Sequence, residues 1–416
     1  MELELLKKIL DRTRYEHMQF VEKCIESERY YDVQNDILYK KRPTDEKKDG
    51  DTQKNPMRQS DNRIAHNWYQ LLLDQKVAYT LTTPPEMDVD NKDLNNVITD
   101  VLGDNYTKYS KRLAVDAGNC GIAWLHVWRN EENEFKYAPV DPKEITPIFS
   151  NDLEERLIAV LRTYSQLDEE NGEMYQVHEY WTDTEVTAFR AKDSSPQNLE
   201  YYDAFRLLDS VNGDSEQTSN IVHGWNKVPF IPFYNTTNKK GDLHKVKRLI
   251  DVYDNVYSGF VDDVDDVQEI IFVLTNYGGE DKKQFLEDLK KYKMIKLDSD
   301  GADDQSGVDT MAIDIPVEAR TKLLEITREQ IYTSGQGVDN SKDKLGNNSG
   351  VALKFMYSLL ELKAAALETE FRSGYSQLVR FVLNYLNLDP KTKIKQTWTR
   401  TYIASELEQA QIVLTH

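Results

Sequence analysis

Residues Arg248 to Leu274 read RLIDVYDNVYSGFVDDVDDVQEIIFVL, and a change of pattern inside this stretch decides the fold. Its first part spaces apolar residues as a helix does, among seven acidic residues and no basic residue after Arg248. Its end, Ile270 to Leu274, is an unbroken apolar run of the length of a short strand. The stretch therefore predicts a helix that gives way directly to a strand.

The segments that follow extend this prediction. We expect one helix over residues 242–269, a compact strand, helix, strand, loop and strand unit over 270–316, and a returning helix over 317–334. Two helices that flank a small α/β insert have the form of a stalk with a tip. A loop rich in Gly, Asn, Asp and Lys follows at 335–350, and a helix over 351–388 would be about 55 Å long at 1.5 Å per residue.

The N-terminal part, residues 1–241, mixes helical and strand patterns. Its predicted helices span 3–30, 64–81 and 94–117, and its predicted strands span 122–128, 136–140, 157–164, 175–181 and 186–190. Between the first two helices, residues 40–58 hold almost nothing to bury, which favours a mobile loop. The chain is therefore predicted to have an α+β fold.

Composition limits the possible functions. At 416 residues the chain is long enough for two or three domains, and 39% of its residues are hydrophobic. Acidic residues outnumber basic ones 72 to 52, and a net charge of -20 is the opposite of the basic footprint of common DNA-binding proteins. We expect no membrane span and no secretory signal. Cys24 and Cys120, the two cysteines, fit a reducing compartment and indicate neither a disulfide framework nor a zinc site.

Motifs that would indicate catalysis or a cofactor are absent from the sequence. The stretch that begins at Asp298 holds Asp303 and Asp309 where an EF-hand calcium loop needs Gly and Glu. The loop at 335–350 lacks the Gly-Lys-Ser/Thr ending of an ATP-binding Walker A loop. No His, Cys and carboxylate grouping has metal-ligand spacing, and nothing points to a nucleophile elbow. The sequence thus predicts no cofactor, no metal and no enzymatic activity.

Several sequence blocks occur together in an order that is typical of one protein family. They are Tyr30-Tyr31 with Asp36-Ile37-Leu38, Asn62 to Asn67 leading into Leu73 to Tyr79, Cys120 to Leu125, Val140 to Ile148, Val228 to Asn235, and Ser349 to Lys354. This ordered set resembles the portal proteins of siphophages that infect Gram-positive bacteria, and it covers nearly the whole chain. Each block alone would be weak evidence, so the resemblance rests on their order.

The resemblance implies a portal fold whose parts can be assigned to the predicted segments. These parts are a wing domain at 1–241, stem helices at 242–269 and 317–334, a clip at 270–316, a tunnel loop at 335–350, a long wing helix at 351–388, and the start of a short or truncated crown at 389–416. Such subunits assemble as a ring, usually of twelve, at one vertex of the capsid. Their role in genome packaging and ejection is structural, and they are not enzymes.

The resemblance also implies partners and a location. Double-stranded DNA would pass through the ring without sequence specificity, and the terminase large subunit would dock as a separate packaging motor. The head-tail connector, scaffold and major capsid proteins would also contact the ring, and no membrane would be involved. The protein is expected at the portal vertex of the virion, and in the host cytoplasm during assembly.

Two sets of residues are candidates for lining the DNA channel. The tunnel-loop set is Gly337, Asn340, Lys342, Lys344, Asn347 and Asn348. The stem set is Asp251, Asp254, Asp262, Asp265 and Glu269. The stem residues follow one another at steps of three, four or their sums, which places them on one side of a helix, with Asp263 and Asp266 more lateral. Carboxylates around a ring would repel phosphates, so DNA would pass without the adhesion that many Lys and Arg contacts produce.

Both sets have alternative interpretations. An acidic run is most often a solvated helix face, and this one is also compatible with the magnesium site of a metal-dependent nuclease at residues 251–269. The loop lysines would otherwise only keep a flexible loop soluble. A non-portal head-tail connector is the other structural candidate, although such proteins are generally much shorter than this chain.

Overall fold

The computed structural model describes residues 1–40, 60–168, 172–192, 198–208, 215–266, 271–275, 307–311, 315–339 and 356–401. The chain forms two compact units. Unit 1 contains Met1–Asn35, His66–Ile250 and Glu329–His416, and unit 2 contains Asp36–Ala65 and Asp251–Arg328. The secondary structure confirms a mixed helix and strand fold. Within the described part of the chain, no helix is both long and apolar enough to cross a membrane.

The described residues contain more helix than strand. The described residues contain α1 (Leu3–Tyr31), α2 (Trp68–Leu81), α3 (Lys92–Leu102), α4 (Asn105–Cys120), α5 (Lys247–Asp266), α6 (Val317–Gly335) and α7 (Ser358–Tyr385). Helix α7 has 28 residues and is therefore about 42 Å long at 1.5 Å per residue. It buries side chains from Leu360 to Leu383, and this packing stabilises so long a helix more than helix propensity does.

The strands belong mainly to two antiparallel sheets of unit 1. The described strands are β1 (Glu86–Asp88), β2 (Ile122–Arg129), β3 (Phe135–Val140), β4 (Ile145–Phe149), β5 (Leu157–Leu167), β6 (Met174–Trp181), β7 (Glu185–Ala191), β8 (Glu200–Tyr201), β9 (Phe205–Leu208), β10 (Ser215–Thr218), β11 (Asn220–Val222), β12 (Phe230–Tyr234), β13 (Ile271–Thr275), β14 (Gly307–Met311) and β15 (Lys395–Thr397). One sheet has the order β11-β7-β6-β5-β4 with β8 beside β7, and the other has the order β12-β2-β3. The remaining pairs are β1 with β15, β9 with β10 and β13 with β14.

Proline marks three of the sheet edges in unit 1. Pro147 lies in β4, Pro139 in β3 and Pro232 in β12, and each of these strands ends its sheet. Proline has no N–H to donate to a neighbouring strand, so it is tolerated at an edge and discourages pairing with a further strand. The prolines therefore disfavour the addition of a further strand at these three edges.

The core of unit 1 lies between the two sheets and their covering helices. Trp124 and Phe230 of the three-stranded sheet pack with Trp181 of the six-stranded sheet in one buried cluster. The start of α1 packs on the six-stranded sheet through Leu6, and its later part contacts α2 and α4 with Tyr30 fully buried. Helix α1 thus crosses from the sheet to the helical layer.

Helix α7 packs against β12 through aromatic side chains. Phe233 contacts Phe371 and Tyr375 with ring centroids 5.0 Å and 5.3 Å apart, both in edge-on arrangements. Gly374 permits this approach, because a Cβ at that position would lie 2.5 Å from the Phe233 ring. The absence of one side chain therefore brings the long helix close to the sheet.

Several predicted boundaries differ from those observed. Helix α2 begins at Trp68, four residues after the predicted start at residue 64. The segment predicted as one helix over 94–117 is two helices, because Gly103 with a φ of 60° ends α3. Helix α5 begins at Lys247, and Leu243–Lys245 form a 3-10 turn before it.

Unit 2 contains most of α5, most of α6 and the β13–β14 pair. In this pair Ile271 lies opposite Met311 and Thr275 lies opposite Gly307. The last strand predicted for this segment, residues 310–315, begins three residues earlier in the structure. The predicted helix at 282–292 and strand at 294–297 lie outside the described residues, as do residues 41–59 and 351–355.

Candidate functional site

A buried ionic cluster joins α2, the segments that flank α5 and α6, and α7 within unit 1. The Asp242 carboxylate accepts hydrogen bonds from Lys76 Nζ at 2.9 Å and Asn235 Nδ2 at 3.1 Å, and Lys363 Nζ lies 3.6 Å from it. Each of these four side chains is 5% exposed or less. Lys363 also donates to the carbonyl of Gly335, the last residue of α6, at 2.9 Å. The cluster therefore fixes the chain just before α5 and at the end of α6.

The charges in this cluster do not cancel, because two ammonium groups face one carboxylate. Burial acts to raise the pKa of Asp242, but the charges of Lys363 and Lys76 outweigh it and hold that pKa well below its usual range. Burial lowers the pKa of Lys363 to about 8 against the attraction of Asp242, and repulsion from Lys76 acts in the same direction as burial. Removing one partner from a buried pair typically costs about 3–5 kcal/mol, so the cluster is sensitive to loss of its single carboxylate.

Helix α2 also fixes the backbone that follows α6. The Gln75 amide makes two hydrogen bonds with the backbone of Val338, donating from Nε2 to its carbonyl at 2.8 Å and accepting at Oε1 from its N–H at 2.9 Å. Gly337 packs so closely on α2 that an added Cβ would overlap Leu72 and lie 2.9 Å from Gln75 Oε1. Helix α2 thus holds the chain at the point where residues 340–350 begin.

The last part of α2 contacts the beginning of α7. The Tyr79 hydroxyl donates to Glu361 Oε2 at 2.7 Å, and its ring stacks on Tyr357 with centroids 5.6 Å apart. Arg400 donates to Glu361 at 3.1 Å and to Glu368 at 2.5 Å. One short helix therefore binds the residues before α5, after α6 and at the start of α7.

In unit 2, one side of α5 is covered by residues 60–65 of the same chain. Asn62 donates to Asp262 Oδ1 from its backbone N–H at 2.6 Å and from Nδ2 at 2.9 Å, and Nδ2 also donates to Asp265 Oδ2 at 2.8 Å. The backbone N–H of Ile64 donates to Ser258 Oγ at 3.0 Å. Asp262 is half-buried by these contacts, whereas Asp265 remains exposed.

The other acidic residues of α5 have different environments. Asp254 is fully buried, which differs from the prediction that it faces an open channel. Helical spacing shows which residues share a side, and tertiary packing decides whether that side is covered. Asp251 is half-buried. Asp263 forms an ion pair with Arg320 of α6, and Arg320 also donates to the Gly259 carbonyl at 3.1 Å.

Most of the predicted tunnel-loop residues lie outside the described residues. These are Asn340, Lys342, Lys344, Asn347 and Asn348, and Glu269 of the acidic set is outside as well. Gly337 is described, and it packs against α2 at the root of the loop. Where side chains are described, no three His, Cys, Asp or Glu residues are grouped so that they could hold a metal ion. No described arrangement therefore favours the nuclease alternative.

The ionic cluster and the Gln75 contact were not predicted from the sequence. Two of the sequence blocks contained a signal for them, since Gln75 and Lys76 lie in the block ending at Tyr79, and Asn235 ends the block that begins at Val228. A Lys in an otherwise apolar helical stretch needs a buried counter-ion, and sequence alone does not identify Asp242 as that partner.

Comparison with known proteins agrees with the family resemblance found in the sequence, and it covers almost the whole chain. Residues 10–416 match the family model described as phage portal protein, SPP1 Gp6-like. The chain belongs to this family of phage portal proteins, which confirms the resemblance found in the sequence.

Two curated relatives are named portal protein. The relative from Clostridium phage phiCD119 is 41% identical over 99% of this chain and 89% of its own length. The relative from Bacillus phage SPP1 is 32% identical over 94% of this chain and 76% of its own length. The likeness therefore extends across both units of the chain.

Proposed function

We propose that the chain is a structural subunit of a portal ring, usually of twelve copies, at one vertex of the phage capsid. The family match over residues 10–416 carries this proposal. Exposed apolar side chains on the two stem helices support it. They are Val252 and Val264 on α5 and Leu323 and Ile326 on α6, and each is between 44% and 48% exposed. Apolar residues exposed along a helix are typical of surfaces that pair with another subunit.

Electron microscopy of the purified chain tests the ring. Negative-stain images should show rings with a central hole. Replacing Leu323 and Ile326 together with Asp should prevent assembly, because charges would be buried at the interface. Thr321→Asp is the matched control, since Thr321 is exposed on another side of α6. Monomers at every protein and salt concentration would contradict the ring.

We further propose that acidic residues of α5 line the channel for double-stranded DNA. Asp265 is exposed and Asp262 is half-buried, and Asp251 and Glu269 belong to the same proposed set, whereas Asp254 does not because it is buried. A ring of these carboxylates would carry a negative potential that is screened over about 8 Å at physiological salt. DNA phosphates would be repelled near the wall and remain free to move along the axis.

Charge reversal tests the channel wall. Asp262→Lys with Asp265→Lys should leave rings that bind DNA, and this binding should weaken steeply as salt rises. Glu4→Lys with Glu16→Lys makes the same change in charge at exposed positions of α1, and it should not produce rings that retain DNA. If the reversed ring transports DNA at low salt as freely as the parent, the acidic side faces solvent.

The tunnel loop is proposed to be residues 335–350. Its root supports this role, because Gln75 holds Val338 and Gly337 packs on α2. Replacing Lys342 and Lys344 together with Glu should alter DNA retention or packaging without preventing ring assembly. Unchanged DNA handling in this double variant would show that the lysines only keep the loop soluble.

The clip at 270–316 is proposed to dock the terminase large subunit. A pair of strands with a small core is suited to strand addition with neighbouring chains, and β13 with β14 is such a pair. Deleting residues 270–316 should leave unit 1 folded and abolish motor docking. A deletion variant that still packaged DNA would refute the assignment.

The remaining proposed contacts are those of an assembled capsid. We propose the head-tail connector, scaffold and major capsid proteins as further partners. The protein would reside in the virion, after passing through the host cytoplasm during assembly. Co-purification of the connector with rings, but not with the Leu323→Asp, Ile326→Asp variant, would test whether docking requires the ring.

A further inference from the structure

A cavity of about 310 Å³ lies between the middle of α1 and strands β4, β5 and β6 of unit 1. Helix α1 packs on the sheet through Leu6 and against other helices near Tyr30, so its central part spans a gap between two packed regions. The side chains that line this gap are mostly polar. They include Arg14 and His17 from α1 and Thr146, Thr163, Gln176 and His178 from the strands.

Two histidines line the cavity, and the Nδ1 atom of each lies near a threonine hydroxyl. His17 Nδ1 lies 3.3 Å from Thr146 Oγ1. His178 Nδ1 lies 2.9 Å from Thr163 Oγ1, and its Nε2 has no hydrogen-bond partner among the described residues. His178 is only 4% exposed. The protein does not close off this nitrogen, so it can hydrogen-bond with a small molecule in the cavity.

Two further polar groups have unused hydrogen-bonding capacity at the same cavity. Arg14 is exposed and Gln176 is half-buried, both line the cavity, and neither side chain makes a hydrogen bond or ion pair with any described residue. Lys143 also lines it, but its ammonium group is paired with Asp141 at 3.1 Å and with Glu28. The cavity lining therefore offers a free guanidinium, an amide and an imidazole nitrogen.

We propose that this cavity binds a small oxyanion, of the phosphate or carboxylate type, through Arg14, Gln176 and His178. Guanidinium and amide groups donate to such oxygens, and Arg is especially suited to them by its planar set of donors. A neutral imidazole whose Nδ1 accepts from the Thr163 hydroxyl carries its proton on Nε2 and donates there as well. Asp11 also lines the cavity, and its negative charge opposes the binding of an anion.

Two further properties support this site. Burial lowers the pKa of His178 to about 4, so the ring is neutral at pH 7 and donates from Nε2 in the tautomer whose Nδ1 accepts from Thr163. The chain has a net charge of -20, which disfavours general adsorption of anions. Saturable anion binding by this chain would therefore report a local site.

Isothermal titration calorimetry with inorganic phosphate at constant ionic strength tests the proposal. We expect one phosphate per chain. Arg14→Ala and Gln176→Ala should each weaken binding about tenfold, the effect of losing one hydrogen bond to a charged group. Arg12→Ala is the matched control, since Arg12 is exposed on the same helix and does not line the cavity, and it should bind phosphate as the parent does.

A parallel titration with acetate separates the two kinds of oxyanion. Binding of phosphate alone assigns a tetrahedral oxyanion, and binding of both assigns a site for oxyanions in general. The absence of saturable phosphate and acetate binding would overturn the proposal and leave a hydrated cavity. An equal loss of binding in Arg12→Ala and Arg14→Ala would also overturn it, because the effect would then reflect only the charge of α1. Neither result depends on whether the chain forms rings.

Discussion

Replacing Asp242 with Asn removes the only negative charge from the buried ionic cluster and keeps the shape of the side chain. Lys76 and Lys363, which are 1% and 5% exposed, would then be two buried ammonium groups without a counter-ion. Removing one partner of a buried ion pair costs about 3–5 kcal/mol. The substitution conserves volume and creates no cavity, so we expect the free energy of unfolding of unit 1 to fall by this electrostatic amount.

Lys363→Met is the comparison, because it removes the excess positive charge and leaves Lys76 paired with Asp242. The lowering of the Lys363 pKa from 10.5 to about 8 disfavours the charged form by about 3 kcal/mol, at about 1.4 kcal/mol per pH unit. Methionine relieves this cost and leaves the Gly335 carbonyl without its donor, which costs about 1–3 kcal/mol. The two effects nearly cancel, so we expect a change of less than about 2 kcal/mol.

The same pKa predicts how stability depends on pH. Between about pH 8 and 10.5 the unfolded state binds more protons at Lys363 than the folded state does, so the contribution of this residue to stability rises with pH. Below about pH 8 both states are protonated and the contribution is constant. Lys363→Met should lack this rise, and its stability relative to the parent should therefore fall as pH increases through this window.

Urea unfolding followed by tryptophan fluorescence measures these effects in unit 1. All six tryptophans belong to unit 1, so the signal reports the unit that contains the cluster. Measurements at pH 7 and pH 9 on the parent and both variants complete the comparison. If Asp242→Asn loses no more stability than Lys363→Met at pH 7, the reasoning from unequal buried charges is refuted.

Three further substitutions have defined outcomes. Gln75→Ala should lower the free energy of unfolding in urea by about 2–4 kcal/mol, because both backbone groups of Val338 lose their hydrogen-bond partner. A loss below about 1 kcal/mol, the net value of one ordinary hydrogen bond, would contradict this contact. Burial raises the pKa of Asp116 from 3.8 to about 6, so its ionisation costs stability as pH rises through this range. Asp116→Asn should raise the melting temperature at pH 7.5 and not at pH 4, and equal shifts would contradict this. Gly374→Ala should destabilise the protein by about 1–3 kcal/mol in calorimetry, because the added Cβ would overlap Phe233. The control is Gly259→Ala, which has open space around its added Cβ and should stabilise its helix by up to about 1 kcal/mol.

Local patterns predicted the larger elements well, because helices and strands follow from the spacing of apolar residues along the chain. Helix α1 at Leu3–Tyr31 and strand β2 at Ile122–Arg129 lie within a few residues of their predicted positions. Boundaries were predicted less well where a tertiary contact or a single backbone conformation sets them. Helix α3 ends at Gly103 because that residue adopts a positive φ, and α5 starts late because Asp242 is held in the buried cluster.

In the candidate site, too, local spacing identified some features and tertiary contacts decided others. The acidic residues of α5 were identified as a set by their spacing, which also placed Asp263 apart from the others. Spacing did not reveal that Asn62, 200 residues away along the chain, donates to Asp262, or that Asp254 is buried. Such contacts depend on which surfaces meet in three dimensions, and no periodic pattern within one helix contains that information.

The family, the mixed α and β character and the acidic helix could all be identified from the sequence, because each depends on residue order, periodicity or composition. The tertiary structure alone decided that Lys76, Asn235, Asp242 and Lys363 form one cluster. Burying a charge is favourable only beside a suitable partner, and Lys76 is separated from its partner Asp242 by 166 residues along the chain. Long-range pairing is fixed by the packing of whole elements, here α2 against α6 and α7, and not by any local preference of the residues themselves.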